Sequence, residues 1–291
     1  NFLMDKVDVC VIGAGHAAAQ LSLSLRQEGW DGEILMIGDE PHLPYHRPPL
    51  SKSFLSGDKT IQDLLIRPAA FYEKQQILFL YGQVTSIDRQ QKIVSLADGT
   101  AIRYDKLALC TGARVRKLDI QGSDLKGVYY VRNAADIEAI QQAVQNAKHA
   151  VMIGGGYIGL ETAASLRKQG INVSLLETSP RILQRVTAAP LSDFYARIHQ
   201  AQGVRIYNNI TIQHIMGHTQ VEGILCGDGM ALAADMVIVG IGVHPNIELA
   251  QTAGIEVDHG ILIDQNCLTN DPDIVAAGDC TRYFCPHYQR Q

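Results

Sequence analysis

The chain has 291 residues, which at about 150 residues per domain predicts two domains. Lys and Arg number 25 against 30 Asp and Glu, a formal charge of −5 with a sequence pI near 6.1, which argues against the basic face of a nucleic-acid binder. A hydrophobic share of 46% with 19% charged residues excludes wholesale disorder, and no stretch approaches the roughly 18 apolar residues of a membrane span.

The opening residues, 1–6, lack the charged-then-apolar layout of a signal peptide, and Met4 reads as a natural start. The six cysteines are scattered and none forms a CxxC pair, which predicts free thiols in a reducing cytoplasm rather than a disulfide framework or zinc ribbon.

From residue 7 an apolar, β-rich run ends in Val11-Ile12-Gly13-Ala14-Gly15-His16-Ala17-Ala18. An amphipathic helix follows, then a stop at Gly29 and a second strand, Ile34-Leu35-Met36-Ile37. The same order returns 141 positions later in Met152-Ile153-Gly154-Gly155-Gly156-Tyr157-Ile158-Gly159, with a stop at Gly170 and a strand Val173-Ser174-Leu175-Leu176. Leu25-Arg26 and Leu166-Arg167 keep the same offset.

This strand, glycine turn, helix and strand is a dinucleotide-binding unit, present twice. Gly13 and Gly154 allow the tight turn, Gly15 and Gly156 let backbone approach a pyrophosphate, and Ala18 and Gly159 keep the helix against its sheet. An acid closing the second strand accepts bonds from a ribose. That acid is Glu177 in the second copy, where it favours NADH over NADPH. The first copy carries two extra residues, which puts Gly38 at the equivalent position and Asp39 one place later as the ribose candidate.

Two dinucleotide sites in one chain point to two cofactors exchanging a hydride, a bound flavin and a visiting nicotinamide. Residues 269–279 end a strand in Gly278-Asp279 and resemble the second FAD fingerprint of two-dinucleotide flavoprotein reductases. Residues 107–113, containing Thr111 and Gly112, resemble the segment by which that family passes from its FAD to its NAD domain. Tyr45-His46-Arg47-Pro48-Pro49-Leu50-Ser51-Lys52, residues 154–161, and Gly240-Ile241-Gly242-Val243-His244-Pro245-Asn246 narrow the resemblance. Across residues 7–279 the chain is similar to the NADH-dependent ferredoxin reductases of the putidaredoxin-reductase type.

The resemblance implies an α/β fold of two Rossmann-like domains, with a discontinuous FAD domain at 1–115 and 246–291 and an NAD domain at 116–245. It implies FAD contacts at Ala17, Asp39, Lys52, Val84, Arg132 and Asp279, and further cofactor contacts at Arg47, Thr111 and Gly112. For NAD it implies Gly156, Tyr157, Ile158, Glu177 and Gly242. The acceptor would be a [2Fe-2S] ferredoxin, or a rubredoxin, feeding a terminal oxygenase or cytochrome P450 in aromatic hydrocarbon catabolism. The family's C-terminal interface domain is expected to be absent, the chain stopping after the polar tail 285–290. Other acceptors, such as oxygen or monodehydroascorbate, and an apoptosis-inducing-factor-like flavoprotein remain as alternatives.

Pro48-Pro49 suits a helix opening, which would put Lys52 in the first turn, an unfavourable place for a cation. Neutralising a reduced, anionic flavin is the role this suggests. Glu161 resembles the glutamate that pairs with this lysine in related reductases, and the two are the candidate catalytic residues, expected to form a desolvated pair. His214 and His218 stand four apart but read as strand and loop, so no metal site is expected. Cys280 and Cys285 read as isolated thiols, and the loop at 40–49 as ordered over the flavin.

Overall fold

The computed structural model describes residues 3–285; the expectations for Asn1, Phe2 and the tail beyond Cys285 lie outside the described residues. Contacts divide the chain into two units: Asn1–His46, Leu65–Arg114 and His244–Gln291 in the first, Arg47–Leu64 and Val115–Val243 in the second.

The first unit is built on one sheet in the order Ile77–Tyr81, Ile34–Gly38, Leu3–Ile12, Ala101–Leu109, Ile93–Leu96, Val84–Asp88. The first four run parallel, and the last two form an antiparallel hairpin with the start of Ala101–Leu109. The end of that long strand turns to a new parallel partner, Ile274–Ala276. Val9, Cys10, Val11 and Ile12 are all buried, as are all five residues of Ile34–Gly38. Continuous burial is what a parallel sheet covered on both faces requires.

The second unit has a five-stranded parallel sheet, Arg205–Tyr207, Asn172–Leu176, His149–Ile153, Met236–Val239, Val128–Tyr130. A three-stranded antiparallel sheet, Ile212–Gly217, Val221–Cys226 and Ala231–Ala233, accompanies it. The fold is thus α/β, with a Rossmann-like sheet and glycine-led helix in each unit.

The repeat extends to the helix ends. His16–Gln27 closes with Gly29 at φ +84, where Trp30 N–H donates to Leu25 carbonyl and Gly29 N–H to Arg26 carbonyl. Tyr157–Lys168 closes on Gly170 at φ +86 with the same bonds, Ile171 to Leu166 and Gly170 to Arg167. Both are Schellman stops, which need a left-handed residue that glycine adopts without strain. Arg26 and Arg167 then tie each end down, donating to the carbonyls of Trp30 and Gln75, and of Ile171 and Gln202.

The segment Arg47–Leu64 groups with the second unit, whereas the sequence expectation kept it within the FAD domain. Side chains hold it there: Gln141 Nε2 donates to Phe54 carbonyl, Gln169 Nε2 to Leu55 carbonyl, and Ser165 Oγ to Ser51 carbonyl. No helix among the described residues is long and apolar enough to cross a membrane.

Candidate dinucleotide sites and the family

The two glycine loops are superimposable in their bonding. Gly13 N–H donates to Ile37 carbonyl at 2.7 Å and Gly154 N–H to Leu176 carbonyl at 2.9 Å. Gly13 has φ +113, and a Cβ there would lie 2.0 Å from Cys110 O; Gly154 has φ +108, and its Cβ would lie 2.1 Å from Gly240 O. Only glycine fits either place. Gly15 and Gly156 are the N-caps of the two helices; neither helix N-terminus has a side-chain cap, and a Cβ on either glycine would meet nothing within 4 Å. Each loop therefore offers free helix N–H groups beside open space, the arrangement that suits a pyrophosphate. Gly159 is forced as well, since a Cβ would lie 2.1 Å from Gly154 O, while the first helix accommodates the Ala18 methyl fully buried.

The acids differ. Glu177 folds back on its loop: Oε2 accepts from Gly155 N–H and Oε1 from Ser179 N–H, both at 2.8 Å. A Cβ at residue 155 would be 2.9 Å from that carboxylate oxygen, which explains the third glycine of Gly154-Gly155-Gly156. In the first unit Ala14 stands at the place of Gly155. A Cβ at Gly38 would meet Ala14 Cβ at 2.7 Å and the Phe79 ring at 3.1 Å, so no side chain fits where Glu177 stands in the other copy. Asp39 is displaced to the exposed position that follows.

Asp39 lines a cavity of about 770 Å³ with Gly13, Ile37, Val84 and Thr111. Thr111 Oγ1 donates to Asn246 carbonyl, and Asn246 N–H and Nδ2 donate to the carbonyls of Gly112 and Thr111. Asp279 follows Gly278 (φ +89) just beyond Ile274–Ala276, whose partner strand ends at Leu109, and a Cβ at Gly278 would lie 3.0 Å from the Ala17 methyl. Gly13, Thr111, Gly112, Ala17 and Asp279 thus gather at the carboxyl edge of one parallel sheet, where such sheets bind ligands.

In the second unit a cavity of about 260 Å³ is lined by Gly154, Gly156, Tyr157, Glu177 and Gly242. Tyr157 and Ile158 stand exposed on the first helical turn. Sequence reasoning missed Leu183, Arg185 and Val186 on the cavity wall, a segment brought there by Leu183 N–H donating to Gly155 carbonyl. Position after Glu177 was its only signal.

Lys52 Nζ lies 2.7 Å from Glu161 Oε2. One expectation about this pair needs correction. Pro48–Ser51 is a single 3-10 turn and Lys52 is its C-cap, where a cation bonds terminal carbonyls; Lys52 Nζ lies 3.2 Å from Pro48 carbonyl. The two prolines fix φ but the turn does not propagate. The side chains are 49% and 32% exposed. Arg47 donates to the Arg132 carbonyl, and Arg132 N–H to Asp136 of the capping box that opens Ala134–Val144.

His214 lies within the strand Ile212–Gly217 and His218 follows it, so their spacing is not that of a helix. Burial pushes the Cys110 thiol up to about 12, with Cys280 adding to the effect, which keeps this thiol at the first loop protonated and unreactive.

The family described as pyridine nucleotide-disulphide oxidoreductase matches residues 7–290. The chain is 41% identical over 290 residues to putidaredoxin reductase of Pseudomonas putida, covering 97% of this chain and 69% of that protein. It is similar to the solved ferredoxin reductase of the CYP199A2 system from Rhodopseudomonas palustris, at a TM-score of 0.94 and 40% identity, covering 99% and 71% of the two chains. It is also similar to the reductase in the covalent putidaredoxin reductase–putidaredoxin complex, at a TM-score of 0.91 and 41% identity, covering 98% and 70%. With two glycine loops that share their turn bonds and relatives this similar along the whole alignment, the chain belongs to the pyridine nucleotide-disulphide oxidoreductases, among the ferredoxin reductases of the putidaredoxin-reductase type.

Proposed function

We propose that the protein is a cytoplasmic, FAD-dependent NADH:ferredoxin reductase. The observation that carries this reading is the doubled loop, an uncapped helix N-terminus beside open space in each unit. The first unit would hold FAD: loop N–H groups on the pyrophosphate, Asp39 on the ribose, Val84 beside the adenine, Asp279 on the ribityl chain. The second would hold NADH across Gly156, Tyr157, Ile158 and Gly242. Glu177 would accept a hydrogen bond from a ribose hydroxyl and repel a 2′-phosphate, which would set a preference for NADH.

When bound, a flavin would supply two-electron acceptance from the nicotinamide and one-electron release to a [2Fe-2S] ferredoxin that serves an oxygenase or cytochrome P450. The chain supplies alignment and charge. In this reading Lys52 would supply the cation that neutralises the reduced flavin and Glu161 would restrain it, and no protein acid or base is required. Anaerobic titration tests this. NADH should bleach the yellow protein far faster than NADPH, and cytochrome c reduction should then depend on added ferredoxin. Equal rates with both nucleotides would remove the role given to Glu177, and ferredoxin-independent turnover would move the acceptor to oxygen or another small molecule.

A further inference from the structure

Glu161, Ser165 and Gln169 are spaced four apart, so their side chains form one row along Tyr157–Lys168 and its C-cap. All three hold the segment that follows Pro48-Pro49. Ser165 Oγ donates to Ser51 carbonyl at 2.7 Å and Gln169 Nε2 to Leu55 carbonyl at 3.3 Å. These two grip backbone, and any residues at 51 and 55 would serve them. The third is specific to side chains. Ser51 Oγ donates to Glu161 Oε2 at 2.7 Å, and Lys52 Nζ sits 2.7 Å from that same oxygen.

The Ser51 hydroxyl has one proton and two acceptors in reach, Pro48 carbonyl at 3.5 Å and the carboxylate at 2.7 Å. The shorter distance is the usual one for a strong O–H···O bond, and the acceptor is charged, so the proton goes to Glu161. Ser51 is only 4% exposed. Water competes poorly for its hydroxyl, whereas it competes well for the half-exposed Lys52. A lone ion pair of that exposure is loosely held, because two long side chains must lose rotamer freedom to keep one geometry. A carboxylate already pinned by a buried donor removes its own share of that cost.

We propose that Ser51 is a positioning residue: its buried hydroxyl fixes the Glu161 carboxylate and through it the place of the Lys52 ammonium. This deepens the reading of Lys52 as the cation at the flavin and rests on that reading for its meaning in turnover. The geometry itself stands on residues of the second unit alone.

The test uses the full chain with its flavin, in four variants: Ser51→Ala, Ser51→Thr, Ser165→Ala and Lys52→Met. One readout is the acylation rate of Lys52 by an N-hydroxysuccinimide ester, measured by peptide mass spectrometry relative to Lys106. The other is anaerobic flavin reduction by NADH, resolved into a saturating rate and a half-saturating concentration. Ser51→Ala should raise Lys52 acylation by about twofold to fivefold, the ceiling set by the worth of a part-exposed ion pair. It should lower the saturating rate while the half-saturating concentration holds. Ser51→Thr should restore both. Ser165→Ala, which loosens the same segment without touching Glu161, should change neither. Unchanged Lys52 acylation in Ser51→Ala overturns the proposal, and so does a Ser165→Ala variant that reproduces Ser51→Ala. If Ser51→Ala frees Lys52 but Lys52→Met reduces at the parent rate, the positioning stands and the flavin role of Lys52 falls.

Discussion

The two glycine units share their turn bonds and helix stops, and an exchange of size separates their acids. In the second, the middle loop residue is Gly155 and the residue closing the strand is Glu177, whose carboxylate packs where a residue-155 side chain would go. In the first, the loop residue is Ala14 and the strand closes on Gly38, because a side chain there would strike Ala14 and Phe79. One copy therefore builds its acid into the loop, while the other sets it outside on exposed Asp39. The lesson is that the acid of such a unit is not an independent choice. It comes with the size of the residue two places after the first strand.

The largest test of this likeness removes what the copies share. Gly13→Ala and Gly154→Ala should each destabilise the fold by on the order of 2–5 kcal/mol, from positive φ plus collision with Cys110 or Gly240. Thermal unfolding measures it, and a loss confined to one variant would break the equivalence. Next come the open positions. A Cβ at Gly15 or Gly156 meets no protein atom within 4 Å, so Gly15→Val and Gly156→Val should both fold with little change in melting temperature. Gly15→Val should lose flavin colour. Gly156→Val should stay yellow and lose NADH binding, seen by isothermal titration.

The acids should then separate the copies. Glu177→Ala strips acceptors from two backbone N–H groups as well as from the ribose, so half-saturation by NADH should rise by about tenfold or more. Asp39→Asn leaves the first loop intact and should weaken FAD by less than about tenfold in an apoprotein titration. Equal penalties would mean that Glu177 is not built into its loop.

The smallest effect concerns the first unit alone. Hydrogen bonds from Lys106 and then Lys92 hold the Asp273 carboxyl down at about 2. A folded value below the ordinary carboxylate range of about 3.9 adds stability in full above that value, lost as pH falls towards about 2. Asp273→Asn should therefore show a shallower loss of stability between about pH 4 and 2 than the parent, followed by circular dichroism.

Much of this was legible in the chain because glycine patterns record local backbone demands. The tight turns, open N-caps and left-handed helix stops each need a particular φ or an absent Cβ, and those needs survive in one dimension. Leu25-Arg26 and Leu166-Arg167 showed as a repeat without a reason; their arginines turn out to tie down the helix ends across 35 to 50 residues of chain. Lys52 was legible as a residue with a purpose but not in its setting. Two prolines announce a helix start, while the length of that helix depends on what packs beside it.

The sequence by itself determined the pair of Rossmann-like units, their loops and the acid that follows each second strand, since these rest on short-range sterics and on spacing. Only the tertiary structure decided why Asp39 stands one place late, how Ser51 meets Glu161 across 110 positions, and to which unit Arg47–Leu64 belongs. Those outcomes depend on which side chains arrive at the same point in space from distant parts of the chain, and burial and hydrogen bonding select among arrangements that local pattern leaves equivalent.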